Sequence, residues 1–121
     1  MKFASSAIAL AATLLAAHGA FAFEGRYVAG DKTYRQNLTV KKRAGGGFDV
    51  AAAVGTGGCA GEVEAQGVAD GDTLKAEARF DGGICVLSLR RRKAGVSLTA
   101  DNCTFFHGAS CDFDGDYRKR R

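Results

Sequence analysis

Apolar and polar residues alternate with a period of two along most of the chain from Tyr34 to Ala100, and beyond residue 22 no eleven-residue stretch repeats apolar positions at spacings of three and four. Period two sends successive side chains to opposite faces of a strand, so the pattern predicts β structure with one buried face per strand. Tyr34, Leu38 and Val40 alternate with polar residues until Ala44-Gly45-Gly46-Gly47 breaks the run, and Phe48, Val50, Ala52 and Val54 resume it. Val63 and Ala65 follow a glycine-rich break at Gly55 to Gly58, and Ala69-Asp70-Gly71-Asp72 supplies turn residues ahead of Leu74, Ala76, Ala78 and Phe80. Asp81-Gly82-Gly83 turns the chain into Leu87 and Leu89, and a basic turn closing with Gly95 leads to Val96, Leu98 and Ala100. With Phe23 to Val28 first and Cys111 to Arg118 last, the pattern predicts an all-β, eight-stranded antiparallel meander.

The two ends echo each other. Phe23-Glu24-Gly25-Arg26-Tyr27 and Phe113-Asp114-Gly115-Asp116-Tyr117 both read Phe-x-Gly-x-Tyr, with the two aromatics on one face. If first and last strands pair, the sheet closes into a small barrel, and each glycine gives room where a tightly curved seam needs it. The alternative is an open sandwich in which these are two unrelated edge strands.

The first 22 residues have the character of a secretory leader. Lys2 gives a positive start, Ile8 to Ala17 is apolar apart from Thr13, and Ala20-Phe21-Ala22 fits signal-peptidase cleavage before Phe23. Residues 1–22 are therefore read as a signal peptide and 23–121 as a single barrel domain. The expected location is periplasmic or secreted, without a membrane-spanning segment, and the alanine-rich leader points to a bacterial envelope. All four cysteines lie in the mature part, and in an oxidising compartment an even count reads as two disulfides stapling a thin core. Two connectivities stand: Cys103–Cys111 with Cys59–Cys85, which is favoured, or Cys85–Cys103 with Cys59–Cys111. The favoured set requires the strand between Cys59 and Cys85 to end early, because residues two strands apart lie about 10 Å from one another in a sheet.

A meander sends alternate turns to opposite ends. One end then collects Lys41, Lys42, Arg43, Arg90, Arg91, Arg92 and Lys93 together with Arg118-Lys119-Arg120-Arg121, with Asp70 and Asp72 as nearby counter-charges. On a chain with formal charge +4, of which the leader holds one unit at Lys2, this is a basic rim suited to anionic lipid or polysaccharide, or simply a solvated end. No aromatic residue interleaves these clusters, so base stacking and nucleic acid are not expected. The opposite end gathers the cysteines, Gly57 and Gly58, and the segment Thr104-Phe105-Phe106-His107-Gly108-Ala109-Ser110. Neighbouring strand residues face opposite ways, so at least one of Phe105 and Phe106 is expected to project. Phe105, Phe106, His107, Gly57 and Gly58 are the candidate partner-binding residues, against the alternative that both rings plug the mouth of the barrel.

Catalysis is not expected. His107 is the sole histidine of the mature part, and Ser110 beside it has no orienting acid in the pattern. Glu62 and Glu64 share a strand face about 7 Å apart, yet an outward face raises neither pKa. Asp112, Asp114 and Asp116 alternate on one face, but Gly115 falls between the second and third acids rather than after the third, and a calcium loop requires the latter; Arg26 is the expected counter-ion. No metal or cofactor is expected. Asn37-Leu38-Thr39 and Asn102-Cys103-Thr104 match glycosylation sequons, which matter only in a eukaryotic secretory pathway. The spare room left by Ala52, Ala65, Ala76, Ala78 and Ala100 makes a small hydrophobic-ligand carrier a further alternative.

A leader, about 100 mature residues, eight inferred antiparallel strands and disulfides together resemble the periplasmic inhibitors of C-type lysozyme, and more distantly the periplasmic inhibitors of metalloproteases. In the lysozyme-inhibitor family a Ser/Gly-rich loop ending near a lysine enters the enzyme's cleft; Gly55-Thr56-Gly57-Gly58 has the glycines and no lysine. The metalloprotease inhibitors typically carry tryptophan, which this chain lacks. The resemblance implies an exported, non-enzymatic binding protein that inhibits lysozyme or another envelope-directed hydrolase.

Overall fold

The computed structural model describes residues 23–120, so the expected leader and Arg121 lie outside the described residues. Eight strands form, β1 (Gly25–Gly30), β2 (Tyr34–Lys42), β3 (Phe48–Thr56), β4 (Ala60–Asp70), β5 (Thr73–Phe80), β6 (Gly83–Arg92), β7 (Gly95–Asp101) and β8 (Gly115–Lys119). Each pairs antiparallel with its sequence neighbours, and β8 pairs with β1, closing the barrel. Inward positions follow the alternation: Leu38 and Val40, Val50 and Val54, Leu74 and Ala76, Leu87 and Leu89, and Val96 and Leu98 are almost fully buried. Eight strands enclose an interior that side chains can just fill, and these residues fill it. Among the described residues no helix is long and apolar enough to cross a membrane.

Both copies of Phe-x-Gly-x-Tyr perform the same operation at opposite mouths of the barrel. The Tyr27 hydroxyl donates to the Phe23 carbonyl at 2.7 Å, and the Tyr117 hydroxyl donates to the Phe113 carbonyl at 2.7 Å. Each bond folds the chain back over its own strand, so the phenylalanine caps the barrel. Phe23 packs edge-on against Phe48 at one mouth, centroids 6.3 Å apart, and Phe113 packs edge-on against His107 at the other, 5.2 Å apart.

The seam itself is short. Only Tyr27↔Lys119 and Val28↔Arg118 are in register between β1 and β8, and Arg120 N–H extends the pairing to the Arg26 carbonyl at 2.8 Å. Gly25 sits beside it at φ +147°, where a Cβ would stand 2.7 Å from Cε of Lys119. β8 also starts at Gly115, later than the expected Cys111. A disulfide holds Cys111, and the buried Gln36 side chain donates Nε2 to the carbonyls of Asp112 (3.2 Å) and Asp114 (2.8 Å), which keeps this segment out of the ladder.

Burial pushes the Tyr27 hydroxyl above its ordinary pKa, with Arg91 partly offsetting; burial raises Tyr117 further, reinforced by Tyr34, Asp112 and Asp114. Both hydroxyl-to-carbonyl bonds therefore favour the protonated phenol, and the stability they contribute is complete below the unfolded tyrosine pKa of about 10 and declines as pH rises above it. Tyr27→Phe and Tyr117→Phe are each expected to cost about 1 kcal/mol at neutral pH, and the double variant to lose part of the parent's destabilisation above pH ~10. Urea melts of parent and variants across pH 7 to 11 check this. Parallel pH profiles for parent and double variant would contradict the assignment.

Candidate functional site

The β1–β2, β3–β4 and β5–β6 turns and the β7–β8 connection share one end, and two disulfides close it. Cys59 bonds Cys111 across 52 positions of sequence and Cys85 bonds Cys103 across 18, so the favoured pairing of Cys103 with Cys111 and Cys59 with Cys85 is corrected to its rival. β5 decides the matter. It runs to Phe80, paired with Gly83, beyond the level of Cys85, and so keeps a strand's width between Cys59 and Cys85. Val86 is opposite Asp101, which brings Cys103, just past the end of β7, to a Cα separation of 4.6 Å from Cys85. The 103–111 segment is therefore not a self-closed loop; its two ends are bolted to different strands, β6 and the start of β4.

This segment fills a break in the barrel wall. β4 and β5 are in register only over Gln66–Asp70 and Thr73–Glu77. Nearer the cystine end, the β4 edge is joined by the connection instead: Gly61 bridges His107, and Gly108 N–H donates to the Ala60 carbonyl at 3.1 Å. Only glycine allows so close an approach at residue 61, because a Cβ would overlap the His107 backbone and the Phe106 carbonyl.

Thr104–Phe106 forms a single 3-10 turn, and its two rings join Phe80 from the end of β5. Phe105 lies nearly parallel on Phe80 at 4.9 Å, Phe106 meets Phe80 edge-on at 5.7 Å, and Phe105 meets Phe106 at 5.2 Å. Phe106 is half-buried against the core, whereas Phe105 is 65% exposed. One ring thus plugs and one projects. Phe80 was legible only as an inward strand residue; its position immediately before the Asp81-Gly82 turn, at the cysteine end, is the signal that places it beside the loop.

His107 does less than its uniqueness implied. Its Nδ1 lies 2.7 Å from the Gly108 carbonyl and its ring abuts Phe113, so it braces the loop. Gly57 and Gly58 are exposed at the same end, in a turn fixed by Thr56 N–H to the Cys59 carbonyl at 2.8 Å and Gly58 N–H to Thr56 Oγ1 at 3.2 Å.

The basic residues do gather at the other end. Arg91 N–H donates to the Asp72 carbonyl and Lys119 N–H to the Ala94 carbonyl, which ties the β4–β5 turn, the β6–β7 turn and the C-terminal strand together. Several of these cations are already engaged. Arg43 contacts Asp49 (3.4 Å) and Gln66 (3.0 Å), Arg91 contacts Asp72 (3.7 Å), Arg92 donates to Ser97, and Lys119 lies over the Tyr27 ring at 5.8 Å. Lys41, Lys42, Arg90, Lys93, Arg118 and Arg120 are exposed around them. The three aspartates of the last segment are also committed separately: Asp112 receives Tyr34, Asp114 accepts from Ala100 N–H, and Asp116 accepts from Ser97, so Ser97 with Arg92 behind it takes the place expected of Arg26.

No known protein family, characterised protein or solved structure matches this chain.

The division of labour between the two rings has a measurable consequence. Phe106→Ala is expected to destabilise the fold by about 2 kcal/mol or more, because it opens the plugged break. Phe105→Ala loses an exposed stacking contact and should cost about 1 kcal/mol or less. Thermal unfolding of the oxidised protein checks both, and equal losses would mean that the two rings are a single plug.

Proposed function

We propose that this chain is an exported, non-enzymatic binding protein that captures a protein target at its cystine-closed end, and that the target class is lysozyme-like or another envelope-directed hydrolase. The observation that carries this reading is Phe105: a large ring, 65% exposed, stacked on Phe80 and carried by a segment bolted down at both ends by disulfides. An anchor held this way loses little conformational freedom when it enters a partner's pocket, which is how a few aromatic residues come to dominate an interface. Two disulfides are compatible with an oxidising compartment, as export requires. The target class itself rests on the resemblance to the periplasmic lysozyme inhibitors.

The direct test is inhibition of a C-type lysozyme by the oxidised protein beginning at Phe23. Inhibition is expected, and Phe105→Ala should weaken it by about 2 kcal/mol, roughly 30-fold, with the fold intact. Failure to inhibit at high excess removes lysozyme as the target.

A second reading is favoured by the convergence of the β2–β3 turn, the β6–β7 turn and the C-terminal strand: the basic rim binds anionic lipid or polysaccharide of the envelope. Such binding is electrostatic and weakens as salt shortens the screening length. Replacing Arg90, Arg91, Arg92 and Lys93 with Ser should abolish sedimentation with phosphatidylglycerol vesicles, and parent binding should fall steeply between low and physiological salt. Salt-insensitive binding, or none, assigns the rim to solubility.

A further inference from the structure

At the basic mouth two cations turn inward over the opening instead of out into solvent. The parity that buries Leu87 and Leu89 places Arg91 on the inner side of β6, and the parity that buries Tyr117 places Lys119 on the inner side of β8. Both act on Tyr27. Lys119 Nζ stands 5.8 Å from the centre of its ring, and the Arg91 charge is near enough to draw the phenol pKa down against the effect of burial. Gly25, on the same face of β1, clears the way, because a Cβ there would stand 2.7 Å from Lys119 Cε. Backbone bonds fix both cations in place: Arg91 N–H donates to the Asp72 carbonyl at 2.8 Å and Lys119 N–H to the Ala94 carbonyl at 3.0 Å.

Here charge does select a ligand. The cations at 41–43, 90–93 and 118–120 outnumber the acids of this end, Glu24, Asp49, Asp70 and Asp72. Glu24 accepts from Lys42 N–H and Asp49 holds Arg43. Arg91 has only Asp72, 3.7 Å away and 76% exposed, and Lys119 forms no ion pair among the described residues. Two like charges held over one ring repel each other, and an anion between them removes that repulsion. The Tyr27 hydroxyl is spent on the Phe23 carbonyl, so the floor is a ring face and the polar contacts come from the two cations. Donors reaching in from two different strands suit a tetrahedral oxyanion, whose oxygens point several ways; a planar carboxylate is satisfied by the fork of a single arginine.

We propose that the basic mouth binds a phosphate group between Arg91 and Lys119, above Tyr27. The proposal rests on the reading of this rim as an anion-binding surface, and it assigns the specific contacts to the inward pair, leaving the outward-facing Arg90 and Arg118 to contribute only their field.

The test titrates the oxidised protein from Phe23 with inorganic phosphate at constant ionic strength, followed by amide chemical shifts, and in a second arm sediments it with phosphatidylglycerol vesicles. Phosphate is expected to move Gly25, Arg91 and Lys119, and Arg91→Gln/Lys119→Gln to bind it about tenfold more weakly. Arg90→Gln/Arg118→Gln removes the same charge from the outer face and should weaken binding less than about twofold. Arg91→Lys/Lys119→Arg keeps both charges at the mouth and should retain the site. No shifts at the mouth, or equal weakening by the two glutamine variants, would overturn the proposal. The vesicle arm identifies the source of the phosphate and separates the proposal from the reading beneath it. Sedimentation lost in Arg91→Gln/Lys119→Gln assigns the site to a lipid headgroup. Phosphate binding at the mouth without sedimentation keeps the site for soluble phosphate and removes the lipid reading of the rim. Sedimentation unaffected by the mouth variant but lost in Arg90→Gln/Arg118→Gln keeps the rim and removes the mouth site.

Discussion

Closure of the sheet at the β1–β8 seam is the constraint on which the rest of this structure depends. Two register pairs are a thin bond for a barrel, and each of the two strands that make it carries the same device: a tyrosine hydroxyl holding the carbonyl of a phenylalanine four residues earlier. Because the two strands run antiparallel, the same five-residue motif places its phenylalanine at opposite mouths. One motif therefore caps both ends of the core. Closure also removes the outer edges that would otherwise invite aggregation of so small an all-β domain.

The disulfides act on the part of the wall that the ladder leaves incomplete. Where β4 and β5 part, the β7–β8 connection crosses to the β4 edge, and Cys59–Cys111 and Cys85–Cys103 fix its two ends. By the loop-entropy argument, closures across 52 and 18 positions constrain the unfolded chain by about 4 and about 3 kcal/mol. A self-closed 103–111 loop would have constrained the unfolded chain less, and it would have left the connection free to swing away from the break. The observed pairing is what turns Phe105 from a loop residue into a rigid projection.

Charge is divided along the barrel axis. Turns and the C-terminal strand concentrate cations at one end, several held by Asp49, Asp72 and the Ser97–Asp116 pair, while the aromatic cluster lies at the other, where Lys32 and Arg35 are also exposed.

The sequence alone determined the strands and their order, because period-two alternation and short glycine turns leave an antiparallel meander few other solutions; the Phe-x-Gly-x-Tyr echo pointed to closure with an open sandwich as the alternative, and the register of β1 with β8 decided between them. It also determined which end is basic, since turns of a meander alternate ends. Strand parity, however, says which face a residue occupies and nothing about who lies beside it two strands away. Cysteine pairing, the parting of β4 from β5, the recruitment of Phe80 to Phe105 and Phe106, and the late start of β8 under Gln36 are all lateral facts of that kind. Those relations depend on barrel curvature and register, which tertiary packing sets and no local pattern encodes.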